Sequence, residues 1–534
     1  MHILHNAQIY TLDPDRPTAS ALAIDHGRIL AAGSDDQILA EFEDRGDVEN
    51  VEGRTIIPGL TDAHIHLQKY AFNLQKVDCE TTSLAECLRR VSEQHTPPGG
   101  WILGHGWNQN EWADCDGGVD GFPSAATLDE IAPDHPVYLT AKSLHAGWAN
   151  TAALRQAGVT AQSADPDDGQ IQHDARGEPT GILLEGAMRL VSSVIPKPAN
   201  EQVAEAIREA QKTLWAMGIT GLHDFDRRRC FFALQTLHGR GELGIRVVKS
   251  IPLADLPHAI EVGLRNKFGD DFLRIGPVKA FADGALGPHT AAMFQPYEDE
   301  PDNRGMLLLD AKGILEHGRA AVENGLGMAI HAIGDRANHE VIEAYAGLRA
   351  FEAEHGLPHP RHRIEHVQIL QPEDIPRLAQ LNVIASMQPT HAVSDMYTAD
   401  RHWGKRAANA YAWRSLLEFG TRVAFGSDAP VESPNPFWGI HAAVTRRRAD
   451  GSPGPNGWRS GQRLTRLEAI QGYTTGAVHA ARLEDRLGKL SPGFLADLLV
   501  LDTDPFTCPP EAIREIRPAA TMIGGVIRSG IFQK

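Results

Sequence analysis

The sequence predicts an α/β protein: a (β/α)8 TIM-like barrel, a small β-sandwich domain built from both chain ends, and a lobe inserted after the first barrel strand. Three observations carry this expectation. Eight short apolar or β-branched runs, several separated by helical stretches, lead into polar residues. Strand-turn-strand texture occurs at both ends of the chain. A long gap separates the first two apolar runs, and it makes the central region much longer than the roughly 250 residues of an ordinary barrel.

At the beginning, residues 21–32 form two short alternating runs around Asp25-His26-Gly27, a hairpin signature with glycine in the tight turn. Residues 488–502 and 519–529 have a similar texture, interrupted by Pro and Gly. Residues 1–54 and 485–534 therefore read as halves of one β-domain, with the barrel over 55–484. The barrel candidates begin with 55–57 leading to Asp62, 218–222 leading to His223 and 245–248 leading to Lys249. They continue with 275–279, 326–331, 362–366, 382–388 and 422–428. The stretch 200–217 is one of the intervening helices. Removing 68–205 leaves a barrel of ordinary length, so that segment reads as the inserted lobe, expected over the active-site end. It contains Trp101, Trp107, Trp112 and Trp148, which either form its own core or face a substrate.

With 51 Lys+Arg against 69 Asp+Glu, the 534-residue chain has a formal net charge of −18. That field repels phosphate backbones and anionic membrane surfaces, so nucleic-acid and membrane partners are not expected. The first residues show no signal-peptide pattern, and no apolar run is long enough to span a bilayer. Five cysteines without CxxC spacing suggest neither a disulfide framework nor a Cys-rich zinc site, which fits a cytoplasmic protein. The 25 histidines are the more informative number, because imidazole is the commonest metal ligand.

The sharpest local motif is His64-Ile65-His66. In an extended segment residues i and i+2 share a face, so both imidazoles can address one metal. Further candidate ligands end later strand candidates: His331, His366 and Asp428. Barrel strand ends converge on one face, so these residues can meet there. Lys279 ends another candidate. Its ammonium cannot bind a cation, so it is neutral, or carboxylated by carbon dioxide into an oxygen-bearing anion, or else it forms a salt bridge to an acid such as Asp283.

This set, with the flanking β-domain, resembles the amidohydrolase superfamily, and within it the amidohydrolase-3 or YtcJ-like branch that includes N-substituted formamide deformylases. The likeness extends over nearly the whole chain. It includes Gly106-Trp107-Asn108, the stretch 145–154, Asp167-Asp168-Gly169 with Pro179-Thr180-Gly181, the stretch 283–287, the stretch 426–431, and Gly488 and Leu490 leading to Ala496-Asp497-Leu498. The resemblance implies two zinc ions: a more buried one held by His64 and His66 with Asp428, and a more exposed one held by His331 and His366, both bridged by carboxylated Lys279. His289 departs from the Arg or Ser expected at its position.

The implied reaction is hydrolysis of a non-peptide C–N bond, of amide or formamide type, by a metal-activated water. Asp428 would move the proton, with His331 and His366 as further catalytic candidates. Manganese, iron or cobalt would also suit the nitrogen and oxygen ligands. The alternatives are a single-metal deaminase of a heterocyclic ring, against which Lys279 speaks, and a non-catalytic ligand-binding protein on the same scaffold. Trp107, His145, Asp283 and His289 are candidates either for contacting a small-molecule substrate or for scaffolding loops. Arg446-Arg447-Arg448 is expected to be solvated. A homodimer is the default assembly.

Overall fold

The computed structural model describes residues 1–97, 99–109, 112–115, 119–142 and 145–532. It comprises two compact units, one of Met1–Tyr70 with Val203–Lys534, the other of Ala71–Gln202.

The first unit contains eight parallel strands, each hydrogen-bonded to the next in sequence: β1 (Leu60–Ile65), β2 (Ile219–Asp224), β3 (Arg246–Pro252), β4 (Leu273–Phe281), β5 (Met328–Ala332), β6 (Arg363–His366), β7 (Ile384–Met387) and β8 (Val423–Phe425). Nearly all of their residues are buried because both faces of a barrel strand are covered, although Val, Ile, Leu and Ala outnumber the rest only in β5 and β8. The seam between β8 and β1 is bridged just beyond the strand ends, where Asp428 N–H donates to His64 O (2.7 Å) and His66 N–H to Ala429 O (2.9 Å). Gly426 permits this approach, since a Cβ there would lie 2.4 Å from His64 N.

The run 55–57, expected as the first barrel strand, belongs elsewhere. Thr55–Pro58 pairs antiparallel with Leu498–Leu501 and parallel with Gln8–Tyr10, and β1 starts only after the break at Gly59. Two adjacent apolar runs serve two different sheets, which periodicity alone cannot separate. The six-stranded sheet that holds Thr55–Pro58 draws strands from both chain ends. A four-stranded sheet, including the hairpin Ala21–Asp25 with Arg28–Gly33, shares a core with it through Leu4, Leu22, Ile24, Ile56, Val500 and Met522. His26 (φ 47°) and Gly27 (φ 75°) make the turn of that hairpin, and two positive φ values are what a two-residue turn of matching twist requires.

Arg246, at the start of β3, ties these sheets to the barrel. Its Nε and Nη2 donate to the Asp497 carboxylate at 2.6 and 2.8 Å, and both residues are buried. Removing one partner of such a pair strands a buried charge. Arg246→Ala is therefore expected to lower unfolding free energy by about 3–5 kcal/mol, read from chemical denaturation.

The second unit is built on a mixed six-stranded sheet running from Gly169–His173 to Val77–Asp78. Trp107, Trp112 and Trp148 lie in its core, and Trp107 Nε1 donates to Leu139 O (3.0 Å). The structure places Trp107 in this core, fully buried with its indole N–H satisfied, the packing alternative left open by the sequence. Arg446 also differs from expectation. It is buried between Trp413 and Trp458, its guanidinium carbon 4.3 and 4.9 Å from their ring centres, and it donates to Trp458 O and Tyr411 O. Aromatic stacking and two carbonyls compensate for its lost hydration. Among the described residues, no helix is long and apolar enough to cross a membrane, and no disulfide is formed.

Candidate metal centre

The C-terminal strand ends bring six side chains together: His64 and His66 from β1 and the residue after it, Lys279 from β4, His331 from β5, His366 from β6 and Asp428 just beyond β8. Asp428 Oδ1 lies 3.5 Å from Nε2 of both His64 and His66. The His366 ring is 4.9 Å from that of His64 and 4.4 Å from that of His331. His64, His366 and Asp428 each present a ligand atom within 4.8 Å of the others. Asp428 and His366 both adopt positive φ (60° and 77°), a strained conformation for residues with a Cβ and one found preferentially at functional sites.

Each imidazole is held by its outer nitrogen. His64 Nδ1 meets Glu365 Oε2 (2.6 Å), His66 Nδ1 meets Asp226 Oδ1 (3.1 Å), His366 Nδ1 meets Gln388 Oε1 (2.8 Å), and His331 Nε2 meets Gly284 O (2.8 Å). All four partners are acceptors, so the outer nitrogens carry the protons and the inner ones keep their lone pairs. Metal-binding histidines are supported in this way. Burial holds His64 and His366 well below the usual imidazole range, and burial followed by the Lys279 charge takes His331 down to about 3. The rings of His64, His331 and His366 are therefore neutral, which is their ligand form.

Lys279 is the strongest test of whether a metal group fits here. Its Nζ is buried, has no hydrogen-bond partner, and lies 4.9 Å from the ring centres of both Phe225 and Phe281. Burial pushes its amine down to about 8. The alternative salt bridge to Asp283 is not formed. A buried amine without a hydrogen-bond partner, among inward-facing imidazoles and a carboxylate, has the chemistry to become an anionic oxygen ligand, while the two aromatic faces are what an ammonium would use.

Beneath the centre, Arg363 donates to Ala63 O (2.6 Å), Ser386 Oγ (2.6 Å), His223 Nδ1 (2.7 Å) and Glu365 Oε2 (3.0 Å). It fixes the carboxylate that holds His64. Buried His223 is pushed down to about 3, by burial and then by Arg363. It is neutral when folded but titrates near 6.5 when unfolded, so between these values the unfolded state binds the extra proton and stability falls as pH falls. His223→Gln is expected to reduce the slope of stability against pH between 5 and 6.5 by roughly 1 kcal/mol per pH unit, measured by denaturation of both proteins across that range.

Glu365, Asp226, Gln388, Arg363 and His391 were not singled out by sequence reasoning. Arg363 and Glu365 share a strand face, and Gln388 follows β7, but only three-dimensional proximity gives them meaning. His391 Nε2 is buried without a hydrogen-bond partner, 4.0 Å from Asp428 Oδ2.

Residues 47–528 match the model of the family described as Amidohydrolase family. The chain belongs to that family. Three curated relatives match over 98% of this amidohydrolase: LONG AFTER FAR-RED 3 of Arabidopsis thaliana (33% identical, 90% of its length), YtcJ of Bacillus subtilis (31%, 98%) and the N-substituted formamide deformylase of Arthrobacter pascens (29%, 97%). Among solved structures, a metal-dependent hydrolase from Pyrococcus furiosus, itself uncharacterized, is 30% identical with a TM-score of 0.78, covering 95% of this chain and all of its own.

The expected substrate contacts of this amidohydrolase are distributed differently. Asp283 is buried and accepts N–H donors from Ala292 (2.9 Å), Ile333 (3.0 Å) and Gly334 (2.8 Å), while burial pushes its carboxyl up to about 7. It also lies 3.6 Å from His331 Nε2. Its oxygens are taken up by the loop backbone and by His331, the scaffolding alternative left open by the sequence. His145, in the second unit, is exposed and pairs with Glu185 (2.8 Å). His289 pairs with Glu300 (2.6 Å) and faces His402 (3.0 Å).

Proposed function

We propose that this amidohydrolase cleaves a non-peptide C–N bond of amide or formamide type in a small molecule, using a metal-activated water. The observation that carries the reading is Asp428, whose carboxylate faces the inner nitrogens of His64 and His66. His64, His66 and Asp428 would hold one divalent ion, His331 and His366 a second, and carboxylated Lys279 both, with zinc the first choice for this ligand set. Ions bound there would lower the pKa of a water and polarise the substrate carbonyl.

The chain's own groups do the rest. Asp428 accepts the proton of the attacking water at its carboxylate and returns it to the departing nitrogen, without which an amine is a poor leaving group. Neutral His331 and His366, fixed through Gly284 O and Gln388, hold the face where the carbonyl oxygen develops charge. Half-exposed Phe281, its ring 5.1 Å from that of His331, offers apolar surface to a nitrogen substituent. The name of the Arthrobacter relative supports formamides as the first class to examine.

The test is a panel of N-substituted formamides, N-acyl amines and amino-substituted heterocycles, offered to the zinc- and bicarbonate-supplied chain with product amine, carboxylate and ammonia measured. Amine release from formamides or amides is expected. Ammonia release from the heterocycles alone would replace this reading with a deaminase.

A further inference from the structure

We propose that His289, Asp299 and His402 form another divalent-cation site, suited to a zinc-type ion, that shares no residue with the barrel centre. After β4 ends at Phe281, the chain makes a long excursion before the helix Ala311–Glu323, and His289, Asp299 and Glu300 all lie on it. His402 comes from the helix Met396–Trp403, which follows β7. One ring nitrogen from each histidine and one Asp299 oxygen lie within 4.8 Å of one another.

Proton accounting carries the argument. His289 Nδ1 is 2.6 Å from Glu300 Oε1, and His402 Nδ1 is 2.9 and 2.7 Å from the two Asp299 oxygens. An ionised carboxylate only accepts, so His289 Nδ1 carries its proton toward Glu300 and its Nε2 keeps a lone pair. That Nε2 lies 3.0 Å from both Nδ1 and Nε2 of His402. His289 Nε2, His402 Nδ1 and an Asp299 oxygen are the atoms placed to share one ion, while Arg401 Nε, 3.3 Å from Asp299 Oδ2, offsets part of the carboxylate charge.

The surroundings suit such an ion. Four-coordinate zinc with bonds of about 2.0–2.2 Å separates its ligand atoms by roughly 3.4 Å, well inside the span of these three groups. Glu300 supports the outer nitrogen of His289, the arrangement that orients metal-binding imidazoles. The Tyr297 ring stacks on His289 at 4.7 Å, Asn303 Nδ2 donates to His289 O, and Glu298 N–H donates to His402 O. Side-chain exposures of 14%, 25% and 10% for His289, Asp299 and His402 leave an entry while keeping the rings positioned. An ion there would staple the excursion after β4 to the helix after β7.

The test compares the full-length wild type with His402→Ala and Asp299→Asn. Each is saturated with Zn2+, gel-filtered and submitted to elemental analysis, with circular dichroism confirming the fold. One ion fewer per chain is expected in each variant. Co2+ titration of the metal-depleted proteins should likewise show a tetrahedral visible absorption band in the wild type that both variants lose. The same decrement should persist on a His66→Ala background, so that failure of the barrel assignment and failure of this one can be told apart. Equal ion counts in the wild type and both variants would overturn the proposal, leaving a proton between the rings. A decrement that vanishes on the His66→Ala background would also overturn it, by assigning the lost ion to the barrel. If His402→Ala does not fold, Asp299→Asn decides alone.

Discussion

Replacing Asp428 by Asn is expected to lower kcat by at least about 10³-fold while leaving the fold in place. Asparagine is nearly isosteric and keeps an oxygen toward Nε2 of His64 and His66, each 3.5 Å from the native carboxylate. The backbone N–H of residue 428 still donates to His64 O, so the seam between β8 and β1 survives. On the proposed mechanism, what disappears is the ability to take a proton from water and hand it to the leaving nitrogen, because a neutral amide does neither. Steady-state kinetics beside circular dichroism reads this directly. A fall in kcat of less than tenfold would move the general base to another residue.

The second large effect is expected at Lys279. Lys279→Ala should lower activity by at least about 10²-fold and, with Asp299→Asn removing the proposed outer site, reduce the bound metal to one ion or none, by elemental analysis. Lys279→Arg should fare no better, and this is the discriminating variant. If the native group acted as a cation, an arginine would preserve the charge. An anionic bridge made by adding carbon dioxide to the amine has no counterpart in a guanidinium. The native Nζ is buried, without a hydrogen-bond partner, between two aromatic rings, so its loss removes no partnered ion pair. Full activity in Lys279→Arg would contradict the bridge.

The barrel and the convergence of its polar strand ends were legible because each signal is local. His64 and His66 alternate correctly for one face, His331 and Asp428 follow apolar runs, and His366 ends the short strand candidate 362–366. Their meeting follows from parallel strands closing into a barrel. The boundary at Gly59 was not legible, since two buried strands meet there end to end and their pairing partners lie far away in sequence. Glu365 and Asp226 escaped notice because a supporting carboxylate has no spacing rule: its role exists only once His64 or His66 is within reach. Trp107 stayed open between core and substrate, and Arg446 misled, for a shared reason. Indole and guanidinium are amphipathic, and their burial depends on whether one carbonyl or one aromatic face happens to be available.

The most direct measurement is divalent metal per chain, by elemental analysis, on protein prepared without a His-tag or chelator and supplied with bicarbonate, with Asp299→Asn in the background to remove the proposed outer site. Two ions per chain, lost together with activity on chelation and restored together by zinc, are what the barrel assignment predicts. A chain that binds no metal, or that hydrolyses its substrate equally well after complete chelation, would contradict it.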